Sequence, residues 1–360
     1  MNVAHPAAQH VSDPERGLLR KSVHDLLAGR WPVDRAVENS GDPEAVAMLW
    51  RSMAGNGLAS LGSDAAEVGL REIVLVFEEL GRAACPAPLL GAVAANLALA
   101  NRAQDAARTL LQDLHQGKAA IAAALGAFDG DAAAGDVQWR GPALSGTIAF
   151  VEGAQTATHI LVFVAEPASL AIVPAGSAGL QVQETPGLAV PAFAELLFDS
   201  APASRVDVSE ESLTDIALVA RLACAGRALG AAQRGFDLAV EHAKVRKQFG
   251  QLIGQFQAVQ HKLADCLIGL DGARLVIETA AEARDAGNPD WRTFAAAATA
   301  FASPALREVS IQAHRALGAI GYAEEHEAPR HFRRVHADLA RFGGVARARA
   351  ELADYLLGPA

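Results

Sequence analysis

Hydrophobic spacing changes twice along this chain of 360 residues, and those two changes constrain the fold more than any other feature. From about Ser12 to Gly117 apolar residues recur at helical intervals. Leu18, Val23, Leu26 and Leu27 mark one such stretch, after a Ser12-Asp13-Pro14-Glu15 start signal. Val68 to Arg82 is a second, followed by a Cys-Pro-Ala-Pro segment that cannot continue a helix. From about Lys118 to Val206 the pattern shortens. Apolar runs at 119–125, 143–151, 159–164, 170–173, 179–182 and 195–198 alternate with Gly, Pro, Asp and Ser, which predicts a small antiparallel sandwich or barrel.

From Val208 onward the spacing is helical again. Ser212-Leu-Thr-Asp215 has capping-box spacing. Between Ile216 and Ala232 only Arg221 and Arg227 interrupt small apolar residues, so this helix is expected to be buried on every side. Further helices are predicted from Phe256 to Arg284, from Trp291 to Leu317 with a split at Pro304, and from near His326 to Leu357 with a weak point at Gly343-Gly344. The expected fold class is α+β, mostly α. It has an N-terminal helical domain (1–117), a middle β-sandwich or barrel domain (118–206) and a C-terminal four-helix bundle (207–360).

Composition narrows the function. With 51% hydrophobic and 20% charged residues the chain is too apolar for a disordered protein. Its 31 basic against 41 acidic side chains leave a net charge of −10, which argues against nucleic acid as a partner. The start lacks a basic segment followed by an apolar run, so no secretory signal is expected. Uncharged stretches such as Cys85 to Asn101 are interrupted by Pro86, Pro88 and Asn96 and are too short for a membrane span. Cys85, Cys224 and Cys266 form no CxxC pair and read as buried thiols in a reducing compartment, hence a cytoplasmic chain.

Catalytic motifs of the common kinds are missing: there is no HExxH, no Cys/His quartet and no Gly-x-Ser-x-Gly elbow. His326 and His331, with Glu325 and Glu327 nearby, are five apart and share no helix face, so no metal site is expected. Leu317-Gly-Ala-Ile-Gly-Tyr322 reads as a helix C-cap. The densest segment is Arg246-Lys-Gln-Phe-Gly-Gln-Leu-Ile-Gly-Gln-Phe-Gln-Ala-Val-Gln-His261. Glycines at 250 and 254 permit a tight inter-helix turn that presents a guanidinium, amides and two phenylalanines. Such a corner suits a phosphate and an aromatic ring, and suits a plain capped hairpin equally well.

This segment, with Leu263-Ala-Asp265 after it, resembles the Arg-x-x-Phe-Gly-x-x-Ile-x-x-Phe-Gln signature of the acyl-CoA dehydrogenase family. The likeness extends to Val68–Leu89 with its Glu-Glu-x-Gly, to Ala225–Gly250 and to Gln312–Arg334. It implies an FAD flavoprotein that oxidises the Cα–Cβ bond of an acyl-CoA thioester and passes electrons to an electron-transfer flavoprotein. It further implies a tetramer in which the C-terminal domain of one subunit holds the adenosine end of FAD bound by its neighbour. On matching positions Arg246, Gln248, Phe249, Phe256 and Gln257 would contact FAD from the hairpin. Arg315, Gly318 and Ala319 would lie in the diphosphate turn, and Arg221 near the substrate.

The departures from the family pattern are specific. The two positions that carry the family's catalytic Glu hold Phe342 and Ala220, neither of which can take a proton. The stretch corresponding to the family's flavin-ring run, Ala122 to Gly130, contains no Thr or Ser. The resemblance therefore points to a partner subunit of a hetero-oligomeric dehydrogenase, completing a FAD site whose base comes from a homologous chain. Two alternatives stand beside it. One is a self-sufficient enzyme with Asp338 or Glu241 as a displaced base, each read otherwise as a helix-surface acid. The other is a scaffold that binds neither flavin nor CoA.

Overall fold

The computed structural model describes residues 13–358 except 40, 65–67, 101, 103, 104, 131, 186 and 188–191. Ser12 of the start signal lies outside the described residues. Six helices come first: α1 (Asp13–Arg30), α2 (Val33–Glu38), α3 (Pro43–Gly55), α4 (Leu70–Arg82), α5 (Leu89–Leu99) and α6 (Asp105–His115). The middle of the chain forms β1 (Ile121–Ala124), β2 (Gly135–Arg140), β3 (Ala143–Glu152), β4 (His159–Val164), β5 (Ser169–Pro174), β6 (Leu180–Glu184), β7 (Phe193–Pro202) and β8 (Ser204–Asp207). Then follow α7 (Glu210–Val245), a hairpin of β9 (Lys247–Gln248) and β10 (Gln251–Leu252), α8 (Gln257–Asp285), α9 (Trp291–Leu317), α10 (Ala328–Ala340) and α11 (Gly344–Leu357). The fold is α+β and mostly helical, with helices, a β unit and a C-terminal helical bundle in that order.

The strands make two four-stranded sheets, ordered β1-β4-β5-β8 and β2-β3-β7-β6. Their inner faces close on Val137, Ile148, Ile160, Val162, Leu196 and Phe198, so the unit is a sandwich. One pair departs from the expected antiparallel pattern: β1 runs parallel to β4. Chain route explains it, because β1 enters from α6 and meets β4 only after β2 and β3 have been laid into the other sheet.

The largest apolar core runs from α1 and α4 through α7 to α9, beside the separate core of the sandwich. Small residues let α4 and α7 approach backbone to backbone. A Cβ at Gly81 would lie 1.9 Å from the Arg227 carbonyl oxygen, and one at Gly230 1.8 Å from that of Glu78. Only glycine fits at these crossings, which accounts for the all-round small character of α7. The Glu-Glu pair ahead of Gly81 binds neighbouring elements. Glu78 accepts from Arg20 of α1 and Arg274 of α8, and Glu79 accepts from Arg20. At the other end of α4, Asp285 of α8 caps the Leu70 and Arg71 amides at 2.7 and 3.0 Å.

Three helix boundaries differ from expectation. Ser209, not Ser212, caps α7, its Oγ accepting the Ser212 amide at 3.2 Å while Glu210 and Glu211 favour the positive helix end. Helix α9 runs unbroken through Pro304. Packing against α8, where Gly269 sits beside Val309 and Ala305, holds it together across the lost hydrogen bond. The fourth predicted helix is two, α10 and α11. Phe342 and Gly343 between them, with Gly344 at the head of α11, have φ of 58°, 70° and 60°, three successive left-handed residues that break a continuous helix.

Candidate active site

A guanidinium inside an apolar helix must find carboxylates, and Arg227, only 1% exposed, finds two. Its Nη1 and Nη2 donate to the two Glu152 oxygens at 2.6 Å each. Its Nε and Nη2 donate to Asp338 at 2.9 and 2.6 Å. Glu152 ends β3 just past a register shift between Ile148 and Val151, a bulge that re-aims the strand end toward the bundle. Burial works against the Glu152 carboxylate, yet the Arg227 charge and its hydrogen bonds outweigh it and hold the pKa at about 2. Arg341 extends the network, 3.5 Å from Glu152 and 3.6 Å from Asp129. Arg334, also wholly buried, is pulled down to about 10 by burial and by the like charge of Arg227.

This network frames the loop where the resemblance puts a base. The Phe342 amide donates to Asp129 Oδ1 at 2.8 Å, and the Arg341 guanidinium lies 5.0 Å over the Phe342 ring. Asp129 is the polar side chain that the Ala122–Gly130 stretch brings to this loop. Ala220, the other base position, is packed in the core. Asp338 is not the helix-surface acid of one sequence reading: it is buried, and both its oxygens accept from Arg227. Glu241 is a surface acid, exposed and 3.7 Å from Arg234. Asp338→Asn is expected to lower thermal stability by about 1–3 kcal/mol, the cost of a weakened buried charge partner. A thermal melt checks it.

Two cavities flank Asp129. The larger, about 650 Å³, lies between the sandwich and the bundle, lined by Phe150, Phe193, His314, Phe332, His336 and Arg341 among others. Its volume falls in the range of about 300–1,000 Å³ typical of cofactor and ligand sites. Phe332 stacks on His336 at 4.2 Å and meets His314 at 4.5 Å, forming an aromatic wall. The smaller, about 250 Å³, is lined by Leu218, Arg221, Phe342, Arg347, Glu351 and Tyr355 among others. There Arg221 Nη1 donates to Glu351 Oε2 at 2.7 Å, while its buried Nε and Nη2 have no hydrogen-bond partner among the described residues. The other Glu351 oxygen accepts from Arg347 at 2.8 Å.

The proposed cofactor residues lie elsewhere, on the surface. Leu238, Leu263, Leu317 and Ala328 pack together, so the β9–β10 hairpin and the turn after α9 leave the bundle at one end. Arg246, Gln248, Phe249, Gln257, Arg315, Gly318 and Ala319 are all exposed, and Phe256 is half-buried. Neither Arg246 nor Arg315 has an ion-pair partner among the described residues. Phe249 is 93% exposed, has φ of 51° and meets Phe256 edge-on at 6.2 Å. A large side chain in the left-handed region costs about 1–2 kcal/mol. Phe249→Gly is expected to raise the stability of the isolated chain by about 0.5–1.5 kcal/mol while weakening flavin retention in the assembled protein. Denaturant melts and flavin absorbance test the two halves.

The sequence singled out Arg227 as a charge in an apolar helix, but not Glu152, Asp129 or Arg341. The usable signal was the helix itself, since a charge at a position with no polar neighbour demands distant partners. All three cysteines are free and buried. Burial raises their thiols, to about 11 for Cys85 and about 12 for Cys224, which makes them inert. Among the described residues no group of three His, Cys, Asp or Glu is placed to hold a metal. No helix among them is long and apolar enough to cross a membrane.

Comparison with known proteins gives the family. Residues 213–352 match the family described as "Acyl-CoA dehydrogenase, C-terminal domain". The chain is 31% identical over 331 residues to acyl-CoA dehydrogenase IpdE2 of Mycobacterium tuberculosis, covering 89% of this chain and 91% of that one. Among solved structures, a variant of the Tcur3481-Tcur3483 steroid ACAD superposes with a TM-score of 0.83 at 28% identity, over 95% of this chain and 98% of that one. The ChsE4-ChsE5 complex from Mycobacterium tuberculosis has the same fold, with a TM-score of 0.80 at 22% identity over 98% and 99% of the two chains. The chain belongs to the acyl-CoA dehydrogenase family of FAD-dependent oxidoreductases.

Proposed function

We propose that this chain is the partner subunit of a hetero-oligomeric acyl-CoA dehydrogenase, completing a FAD site while a homologous chain supplies the base. The observation that carries the reading is the state of the Phe342 loop. The family's two base positions hold Phe342, in this loop, and Ala220, on α7, and the carboxylates around the loop are engaged: Asp338 and Glu152 by Arg227, Asp129 by the Phe342 amide, Glu351 by Arg221 and Arg347. A carboxylate held by guanidinium is a poor proton acceptor. The pairing seen in the names Tcur3481-Tcur3483 and ChsE4-ChsE5 supports the reading by analogy.

The residues present fit the cofactor's anionic end. Arg246 and Arg315 offer guanidinium forks without competing carboxylates, and Phe249 offers an exposed ring face. Gly318, with φ of 64° and open space around it, lets a diphosphate come close to backbone amides. FAD, when bound, supplies the acceptor for the β-hydride of the acyl thioester, and the electrons go on to an electron-transfer flavoprotein. Gln248, Phe256 and Gln257 flank Arg246 on the same corner. Arg221 lines the smaller cavity and keeps two buried donors without partners among the described residues, which supports a place for it near the acyl-CoA substrate. The buried free cysteines support a cytoplasmic setting.

The reading is tested by purifying the chain alone and together with a homologous subunit that carries a Glu at either base position. The pair is expected to form a stable hetero-oligomer with bound flavin and dehydrogenase activity, the lone chain neither. Full flavin and full activity in the lone chain would overturn the proposal in favour of a self-sufficient enzyme. Absence of flavin and CoA binding in both samples would leave only a scaffold.

A further inference from the structure

Among the described residues Asp129 alone lines both the larger and the smaller cavity. The smaller cavity has a direction. Glu210, Thr214 and Tyr355 on its wall are exposed and mark the mouth, whereas Asp129, Ala217, Leu218 and Phe342 are each at most 9% exposed and form the floor. Beyond Asp129 lies the larger cavity, with Phe193, Phe332 and Ala340 on its walls.

The floor is braced from several sides. Asp129 Oδ1 accepts the Phe342 amide at 2.8 Å, and Oδ2 lies 3.6 Å from Arg341 Nη2. Phe342 is held at φ of 58°, a conformation that a bulky residue keeps only where its surroundings impose it. The next residue closes the seam. A Cβ at Gly343 would lie 2.9 Å from the Gly130 carbonyl oxygen, so the loop of Asp129 and the loop of Phe342 meet backbone to backbone. Two braced loops carry the wall, and the Asp129 side chain is the part of it that reaches both spaces.

We infer that Asp129 sets the length of the acyl group that the smaller cavity accepts, an inference that rests on reading this cavity, through Arg221, as the acyl-CoA site. On the scale by which a cavity of about 150 Å³ holds benzene, the smaller cavity's 250 Å³ takes roughly ten carbon atoms. An acyl group entering past Tyr355 ends against Asp129. With Asp129 cut back to alanine, its tip passes into the larger, aromatic-walled cavity.

The test titrates octanoyl-CoA and tetradecanoyl-CoA into the full chain, wild type and variants, by isothermal calorimetry. In the wild type the longer thioester is expected to bind no more tightly than the shorter. In Asp129→Ala it is expected to bind about 10–100-fold more tightly than octanoyl-CoA, the gain from burying the additional methylenes. Asp129→Asn keeps the size of the side chain and an oxygen for the Phe342 amide, so its ratio of affinities is expected to match the wild type. That variant also controls for nonspecific binding of a long chain. Thermal melts check folding, and Asp129→Ser serves as a second shortened variant if Asp129→Ala unfolds. Loss of a merely structural contact would weaken both thioesters alike and leave the ratio unmoved. A wild type that already prefers tetradecanoyl-CoA, an unchanged ratio in the shortened variants, or the same gain in Asp129→Asn would each overturn the inference. No binding of either thioester by any variant would overturn it together with the place given to Arg221, while flavin retention by the two-subunit protein reads the partner proposal separately.

Discussion

Arg227→Met is expected to destabilise the chain by about 3–5 kcal/mol, the usual cost of leaving buried charges without their partner. Glu152 and Asp338 both lose their bidentate guanidinium, and methionine restores only the apolar volume. A drop in melting temperature of about 5–10 °C corresponds to that figure. The pH dependence gives a sharper signature. In the wild type Glu152 falls from an ordinary 4.5 to about 2 on folding. A depressed carboxylate pKa adds stability above the unfolded value and loses it as pH falls through the folded one, here between 4.5 and about 2. Without Arg227 the buried carboxylates favour their protonated forms. The variant's stability then falls as pH rises above about 4, opposite in sign to the wild type. Melts from pH 3 to pH 7 for both proteins distinguish this from a uniform loss of packing.

In the proposed hetero-oligomer, Arg246→Ala is expected to weaken FAD binding by about 10–100-fold, the equivalent of one charge-assisted hydrogen bond of about 1.5–3 kcal/mol. Arg246 is exposed and lies just past the end of α7, so the substitution removes no core contact and the melting temperature of the lone chain should not move. Arg246→Lys is expected to recover only part of the affinity, because an ammonium keeps the charge but not the planar fork. Flavin fluorescence during dilution reads the dissociation constant. Unchanged affinity in Arg246→Ala would remove the hairpin from the cofactor site.

Legibility in the sequence followed the range of the forces involved. Local spacing located α1, α4, the C-terminal helices and six strand regions, and left α2, α3, α5 and α6 undivided within one helical region. Strands β2 and β8 escaped it because each shows the core little more than one apolar residue, Val137 and Val206, and carries charged or polar neighbours. The glycine pair of the hairpin was readable because its demand is local. Gly250 turns the chain at φ of 82°, and a Cβ at Gly254 would lie 2.8 Å from the Ala243 carbonyl oxygen. The buried ion network was not readable. Arg227 meets Glu152 across 75 positions and Asp338 across 111, and nothing local in the sequence couples them. Asp338 illustrates the consequence: on its own helix it reads as a surface acid, and only the crossing of α7 over α10 buries it.

The central claim is that this chain contributes to a FAD site but contains no catalytic base of its own. It is tested most directly by mixing the lone chain, with FAD supplied in excess, anaerobically with acyl-CoA thioesters and following flavin bleaching by stopped flow. No reduction above the rate without protein is expected, and bleaching should appear only when a homologous subunit with a Glu at a base position is added. Reduction by the lone chain at an enzymatic rate, on the order of 10 per second, would contradict the claim.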